Sequence, residues 1–413
     1  MKKLALLTFL SALTSNSIIA QSLSIETKGI IDFRLTSTSS SDSYIKGGLG
    51  KFRYSDGTRL SIAHAGLEAN IGINDHWSAR VVANGYLDGE DDAIGLTEAF
   101  FKYQGLPSEG GYRLSSRIGV FYPAISLEHV ATGWASKDTL TGSTLNTWIG
   151  EEVRVAGLEG KLTKLGKFAG KSYDLSLTAT VFKNNDPTGA LLAWHGWTQS
   201  VRQTLYHESR PFPPRLSPEL VDQASESDPF RDVDGNPGFH VSGEWKKRRK
   251  GSFSFGYYDN QAKPFLIEQG NYGWKTRFYH LGGRWRFDHD LELTWQYLHG
   301  DTLMQNLQRQ DIVNAGYGSG YVMLSKRWQK KHRFSVRLEE FSVDDRDSTE
   351  LDNNDEYGKA ATFSYQYRLS KGWFLSTEYN WIDSWRPSRS YIDLPVDTTE
   401  RQLQLSARYF FNH

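Results

Sequence analysis

The chain has 413 residues, no cysteine and a formal net charge of +0. Without cysteine there is no disulfide framework and no thiolate metal site. Balanced charge argues against a polybasic nucleic-acid binder. Mean hydropathy is −0.55, and no run beyond residue 20 approaches the ~20 apolar residues of a membrane helix.

Lys2 and Lys3 precede an apolar stretch over residues 4–13 and a small-residue end, Ser17-Ile18-Ile19-Ala20. This pattern predicts a secretory signal peptide over residues 1–20, cut after Ala20. Removing Lys2 and Lys3 leaves a formal charge of about −2 on residues 21–413, which read as one domain.

From residue 26 onward, segments alternate with a period of two, the mark of strands with one apolar and one wet face. Residues 26–35 put Thr27, Gly29, Ile31 and Phe33 on one face. Residues 60–73 send Ala63, Ala65, Leu67, Ala69 and Ile71 outward, with His64, Glu68 and Asn70 inward. Residues 76–87 place Arg80 and Asn84 inward, and residues 112–122 do so with Arg113 and Arg117. A strand is predicted over 148–159, with Val153 and Val155 outward and Glu152 and Arg154 inward. Residues 173–182 alternate cleanly, as do the later segments up to the last strand, where Leu403, Leu405, Ala407, Tyr409 and Phe411 share a face.

The connections alternate in length. Residues 74–75, 247–250, 289, 329–331 and 370–372 make short turns. Residues 36–59, 123–147, 184–236, 260–274, 301–320, 344–359 and 384–397 make long loops. Short turns at one end and long loops at the other are the asymmetry of outer-membrane barrels. Trp77, Trp245, Trp285, Trp328, Trp373 and Trp381 lie near strand ends, where aromatic girdles belong. The expected fold is all-β: a 16-stranded antiparallel transmembrane β-barrel, or 18-stranded if the 184–236 insertion hides a hairpin. Periplasmic turns are short and extracellular loops long.

About sixteen strands enclose a lumen too wide for wall side chains to fill. Residues 123–147 are the candidate constriction, carrying Glu128, His129, Lys137 and Asp138, expected to face Arg80, Arg113 and Arg117, with Arg154 nearby. Charged rings at a constriction decide which solutes pass. The rival reading is that these arginines solvate the wall or pair with neighbouring carboxylates.

The stretch Arg117-Ile-Gly-Val-Phe-Tyr-Pro-Ala-Ile-Ser-Leu-Glu128 resembles the constriction-loop entry of the phosphate-selective porin O/P family. Gly119, Phe121, Pro123, Leu127 and Glu128 carry the likeness, with one residue rather than two between Phe121 and Pro123. Residues 185–197 and 148–152 resemble segments of related porins. The resemblance implies a trimeric barrel, general or anion-preferring, in the bacterial outer membrane. Its partners would be outer-membrane lipid and lipopolysaccharide, and its cargo small hydrophilic solutes or anions. Residues 123–147 hold one strong base, Lys137, rather than the paired lysines of the phosphate channels.

Asp232, Asp234 and Asn236 alternate like calcium ligands, but Gly243 stands where the twelfth-position acid belongs. A solvated turn is the competing reading, and no other cofactor is implied. Residues 187–210 have the spacing of an amphipathic helix ended by the prolines behind it. No Gly-x-Ser-x-Gly elbow is present and the histidines are scattered, so the chain is not expected to be an enzyme. The alternative to a porin is a surface receptor or adhesin acting through its long outer loops.

Overall fold

The computed structural model describes residues 23–412. The expected signal peptide over residues 1–20 lies outside the described residues. Among the described residues, sixteen strands form one closed antiparallel barrel, each paired to its sequence neighbour and the first to the last. They are β1 (Ser24–Ser39), β2 (Gly57–Gly72), β3 (Trp77–Leu87), β4 (Ala93–Gln104), β5 (Tyr112–Phe121) and β6 (Val155–Lys164). Then come β7 (Tyr173–Lys183), β8 (Gly238–Lys247), β9 (Gly251–Asp259), β10 (Lys275–Arg286) and β11 (Leu291–Gln305). The last five are β12 (Asp311–Trp328), β13 (His332–Asp345), β14 (Glu356–Arg368), β15 (Trp373–Trp385) and β16 (Asp397–Asn412). The 184–236 insertion adds only a two-residue ribbon, Arg210–Pro211 with Glu226–Ser227, outside the barrel. The strand number is therefore sixteen.

Alternation does the sorting. On β13, Phe334, Val336 and Leu338 are exposed on the outer surface, while Ser335, Arg337 and Glu339 are buried inside. An apolar exterior of this kind is stable against lipid, and the barrel spans a membrane. Aromatic pairs ring its short-turn end: Trp77–Tyr103 at 5.1 Å, Trp245–Trp285 at 6.1 Å and Trp373–Tyr409 at 4.8 Å between ring centroids. Among the described residues, no helix is long and apolar enough to cross a membrane.

Three predicted facings change. Register shifts between β1 and β2 and between β2 and β3 around Ala63 mark a bulge. Ala63 therefore turns inward, where it is fully buried. The strand expected over 148–159 begins only at Val155. Residues Thr144–Glu152 form a helix, α1, because Ser143 caps it by accepting from the Asn146 N–H at 3.2 Å. Val153 and Val155 are then both buried inside the barrel rather than facing lipid.

The helix expected over 187–210 shrinks to one short turn, α2 (Ala190–His195). Gly189 before it has φ 104°, and a Cβ there would lie 2.3 Å from the Thr302 hydroxyl of β11. Only glycine passes that wall in that conformation.

Candidate functional site

The lumen holds two infolded inserts. All of residues 138–155 and all of residues 185–205 are buried. Loops that run over a surface do not bury every residue; these two fill the barrel. Their apolar side chains, Ile125, Trp134, Leu145, Trp148 and Trp197, join wall residues such as Phe121, Phe182, Phe278 and Phe341 in one core inside the barrel. Trp148 packs edge-on against Trp197, Phe278 and Tyr317 at 5.3 to 5.9 Å. The expected water-filled lumen survives toward the short-turn end. Toward the long-loop end, the insert expected to lie outside occupies it.

The ion pairs of the constriction insert all run to one wall, β10 to β16 with β1, while on the other side the Gly133 carbonyl accepts from Asn84 of β3 at 2.9 Å and the Tyr122 N–H donates to Glu98 of β4 at 3.1 Å. Glu128 pairs with Arg337 of β13 at 2.8 Å and accepts from the Ser143 N–H and the Asn146 side chain. Arg337 also bonds Glu339 at 2.7 Å and donates to the carbonyls of Thr141 and Gly142. Glu378 of β15 accepts from the Thr141 N–H at 2.9 Å. Arg408 of β16 pairs with Asp32 at 2.8 Å and donates to the carbonyls of Ser136 and Thr139. Asp138 pairs with Arg333 at 3.2 Å, and Lys137 reaches Glu292 at 3.6 Å. His129 shares a hydrogen bond with Ser126 and packs on Trp134. Burial pushes its imidazole down to about 4, so it is neutral.

Glu128 and Asp138 thus turn away from Arg80, Arg113 and Arg117. The expected facing fails because β13 supplies nearer arginines, Arg337 and Arg333. Arg154 is also inside, but as an anchor. It donates to the Thr204 carbonyl at 2.9 Å and stacks on Phe230 at 4.0 Å.

Arg80, Arg113 and Arg117 do come together, on the β3 to β5 wall. Arg80 lies near Glu68 and Glu98 at 3.2 and 3.8 Å, and Arg117 pairs with Glu159 at 2.8 Å. Lys102 stands opposite Arg117 in register, and Lys161 is two positions from Glu159 on β6. Among the described residues, Lys102 and Arg113 have no carboxylate within ion-pair distance. Five bases on four adjacent strands therefore line a vestibule that opens at the short-turn end. The Ala124 and Val130 side of the constriction insert is exposed. Sequence reading missed Lys102 and Lys161. Leu158 and Leu162 were the available signal, since their exposure to lipid forces Glu159 and Lys161 inward.

Two carboxylates at the end of α1 organise the second insert. Glu152 accepts from the Trp148 indole at 2.6 Å and from the N–H groups of Gly189, Leu191 and Leu192. It thereby ties α1 to the start of α2. Glu151 is buried with neither oxygen bonded, 3.8 Å from the His195 ring. Burial pushes its carboxyl up to about 8.

Asp232 and Asp234 do lie together, joined by Asp186 rather than by Asn236. Asn236 donates its own N–H and side-chain amide to Asp234. Asp186 accepts the N–H groups of Val233 and Asp234 at 2.6 and 3.1 Å. The group is bonded as a self-contained turn.

A closed sixteen-stranded barrel with long loops at one end and an infolded constriction is the fold of the outer-membrane porins. The chain is similar to the outer-membrane channel DcaP of Acinetobacter baumannii, with a TM-score of 0.56 and 11% identity over 94% of this chain and 97% of that one. It is similar to an anion-selective porin from Comamonas acidovorans, with a TM-score of 0.52 and 12% identity over 94% and 100%. The outer-membrane OmpT of Vibrio cholerae gives a TM-score of 0.50 and 10% identity over 95% and 99%. No family model and no curated protein matches the sequence.

Proposed function

We propose that the chain is an outer-membrane channel for the passive diffusion of small hydrophilic solutes, with a preference for anions. The vestibule carries the reading: Arg80, Lys102, Arg113, Arg117 and Lys161 converge on β3 to β6, and Lys102 and Arg113 keep unneutralised charge there. Fixed charge along a pore wall raises the local concentration of counter-ions. A lumen filled as here passes little, so conduction belongs to a state in which part of the filling has moved.

Phosphate specificity is not part of this reading. Lys137, the one strong base of residues 123–147, is engaged with Glu292. The kinship suggested by residues 117–128 and the homotrimer it implies belong to the same proposal, as does contact with outer-membrane lipopolysaccharide. The receptor alternative loses weight because residues 185–205, the first part of the longest outer insertion, are buried inside the barrel.

The test is single-channel recording of the refolded protein in a planar bilayer under a KCl gradient. Stable steps with a reversal potential of anion-preferring sign are expected. Steps with cation preference would overturn the role given to the vestibule. No steps from folded protein would overturn the channel reading itself.

A further inference from the structure

Residues 199–206 cross the lumen as a bar lying along α1. Along its length, the Ser200 N–H bonds the Thr147 hydroxyl and the Thr204 N–H bonds the Gly150 carbonyl. Its two ends are held differently. At the β13 to β15 end, the neighbouring Trp197 gives its N–H to Glu356 at 2.8 Å and its indole to the Ser342 carbonyl at 2.9 Å. Gln199 there gives its side chain to Glu339. Behind it, Arg386 holds the carbonyls of Ala193 and Trp194. At the β3 to β4 end no wall carboxylate holds the bar, and the Arg154 guanidinium bridges the Thr204 carbonyl to those of Leu96 and Thr97 at 3.3 to 3.4 Å. Tyr206 bonds the Leu96 carbonyl at 2.8 Å, Gln203 meets Tyr86, and Leu205 rests on Gly95. The ionic ties near that end run from Arg202 and Arg210 to Asp91, at 3.5 and 3.2 Å, and Asp91 is 41% exposed. Solvent screens the exposed Asp91 carboxylate, so these long pairs hold less firmly than the fully buried contacts at the other end.

A second observation lies beside the weaker end. Both Glu151 oxygens, Nε and Nη2 of Arg154 and Nη2 of Arg210 are buried and met by no protein group. Polar groups without protein partners favour hydration, so an opening beside them is stabilised.

We infer that residues 199–206 are a gate that releases from the β3 to β4 wall, and that Glu151, Arg154 and Arg210 line the hydrated path it uncovers. The constriction insert stays fixed to the opposite wall by Arg337, Arg333 and Arg408. The inference rests on the channel reading and adds to it the moving part and the residues that meet the solute.

The cysteine-free chain makes a direct test. A Cβ at position 95 would lie 3.1 Å from that of Leu205, close to disulfide geometry. The double variant Gly95→Cys with Leu205→Cys is refolded, and the cross-link is verified by mass. Oxidised, it should lose at least about tenfold of the wild-type open probability, equivalent to about 1.4 kcal/mol, and reductant should restore it. Equal opening in both redox states would overturn the gate. Glu151→Gln and Arg154→Gln, recorded separately, should shift the reversal potential in opposite directions. If neither moves it, the path is not where it is placed. A folded wild-type protein that gives no steps at all would instead remove the channel reading beneath the inference.

Discussion

Two walls of the same barrel use arginine for opposite ends. On β3 to β5, Arg80, Arg113 and Arg117 stand beside an open vestibule, and Arg80 keeps 33% of its side chain exposed. On β13, β16 and β1, Arg337, Arg408 and Arg34 are buried to the last few per cent and bonded to carboxylates or loop carbonyls. The difference lies in what faces them. Residues 122–154 lie against the second wall and exclude water from it, so each charge there must be paired. The first wall meets solvent, where a surplus base is tolerated. A count of inward arginines measures neither selectivity nor stability until the resting place of the insert is known.

The sharpest way to break the contrast is to remove Arg337. Arg337→Ala leaves Glu128 and Glu339 as unpaired buried charges, and breaking such a pair costs about 3–5 kcal/mol. Urea unfolding of the folded protein should show that loss, and open-channel noise should rise as the insert loosens. Lys161→Ala removes the partner of Glu244, 3.2 Å away at the hydrated wall with 36% and 29% of the two side chains exposed, and should cost under about 1 kcal/mol in the same assay. Equal losses would mean that the two walls do not differ as described.

Trp148→Ala comes next. It empties the centre of the lumen core, where aromatic truncation costs about 3–5 kcal/mol when the site cannot collapse. The loss should be accompanied by more frequent opening, because Trp197 beside the gate loses its packing partner. Unchanged gating with lower stability would place the core outside the conduction path.

Much of this was legible in the sequence. The alternation of β13 and β16 fixed strand facing, and loop lengths fixed the handed asymmetry of the barrel. Arg80, Arg113 and Arg117 alternate with outward apolar residues such as Val81, Leu114 and Ile118. What escaped reading depends on contacts between segments far apart in the chain. Residues 148–152 alternate well enough to pass for a strand, and nothing local reveals that Ser143 caps a helix there. That single misreading shifts β6 by one residue, which turns every side chain to the other face, and so Lys161 was lost. Residues 185–205 are apolar enough to suggest a helix at the pore mouth. Their burial depends on Glu152, Glu339 and Glu356 waiting inside the barrel, which no local pattern displays.

Acidity gives a gentler lever on the gate. Glu151 sits on α1, faced by Arg210 and Arg202, which favour its ionised form, and by Glu152 and Glu208, which oppose it. His195, lowered to about 3 by burial, and Tyr44 complete its surroundings, both uncharged. Burial dominates and raises its pKa to about 8. The closed form therefore binds a proton more tightly than the open or unfolded form. Its stabilisation is complete below the usual carboxylate range and is lost as pH rises toward about 8. Open probability should climb between about pH 5 and about pH 8, and Glu151→Gln should flatten the climb. A wild-type profile that falls over that interval would reverse the assignment.

The smallest expected effect is the most specific to the open wall. Lys102→Gln and Arg113→Gln each remove a charge that no carboxylate neutralises. Because both side chains stand at hydrated positions, unfolding free energy should stay within about 0.5 kcal/mol of wild type. The reversal potential should move toward cation preference in each, and further in the double variant, with the shift shrinking at high salt as screening shortens to a few ångströms. Lys246, on β8 and also at the short-turn end, offers the control. It is exposed near the mouth rather than opposite Arg117, so Lys246→Gln should shift the potential less than either. If all three variants shift it equally, net charge at the mouth governs selectivity and the grouping of bases on β3 to β6 has no special part in it.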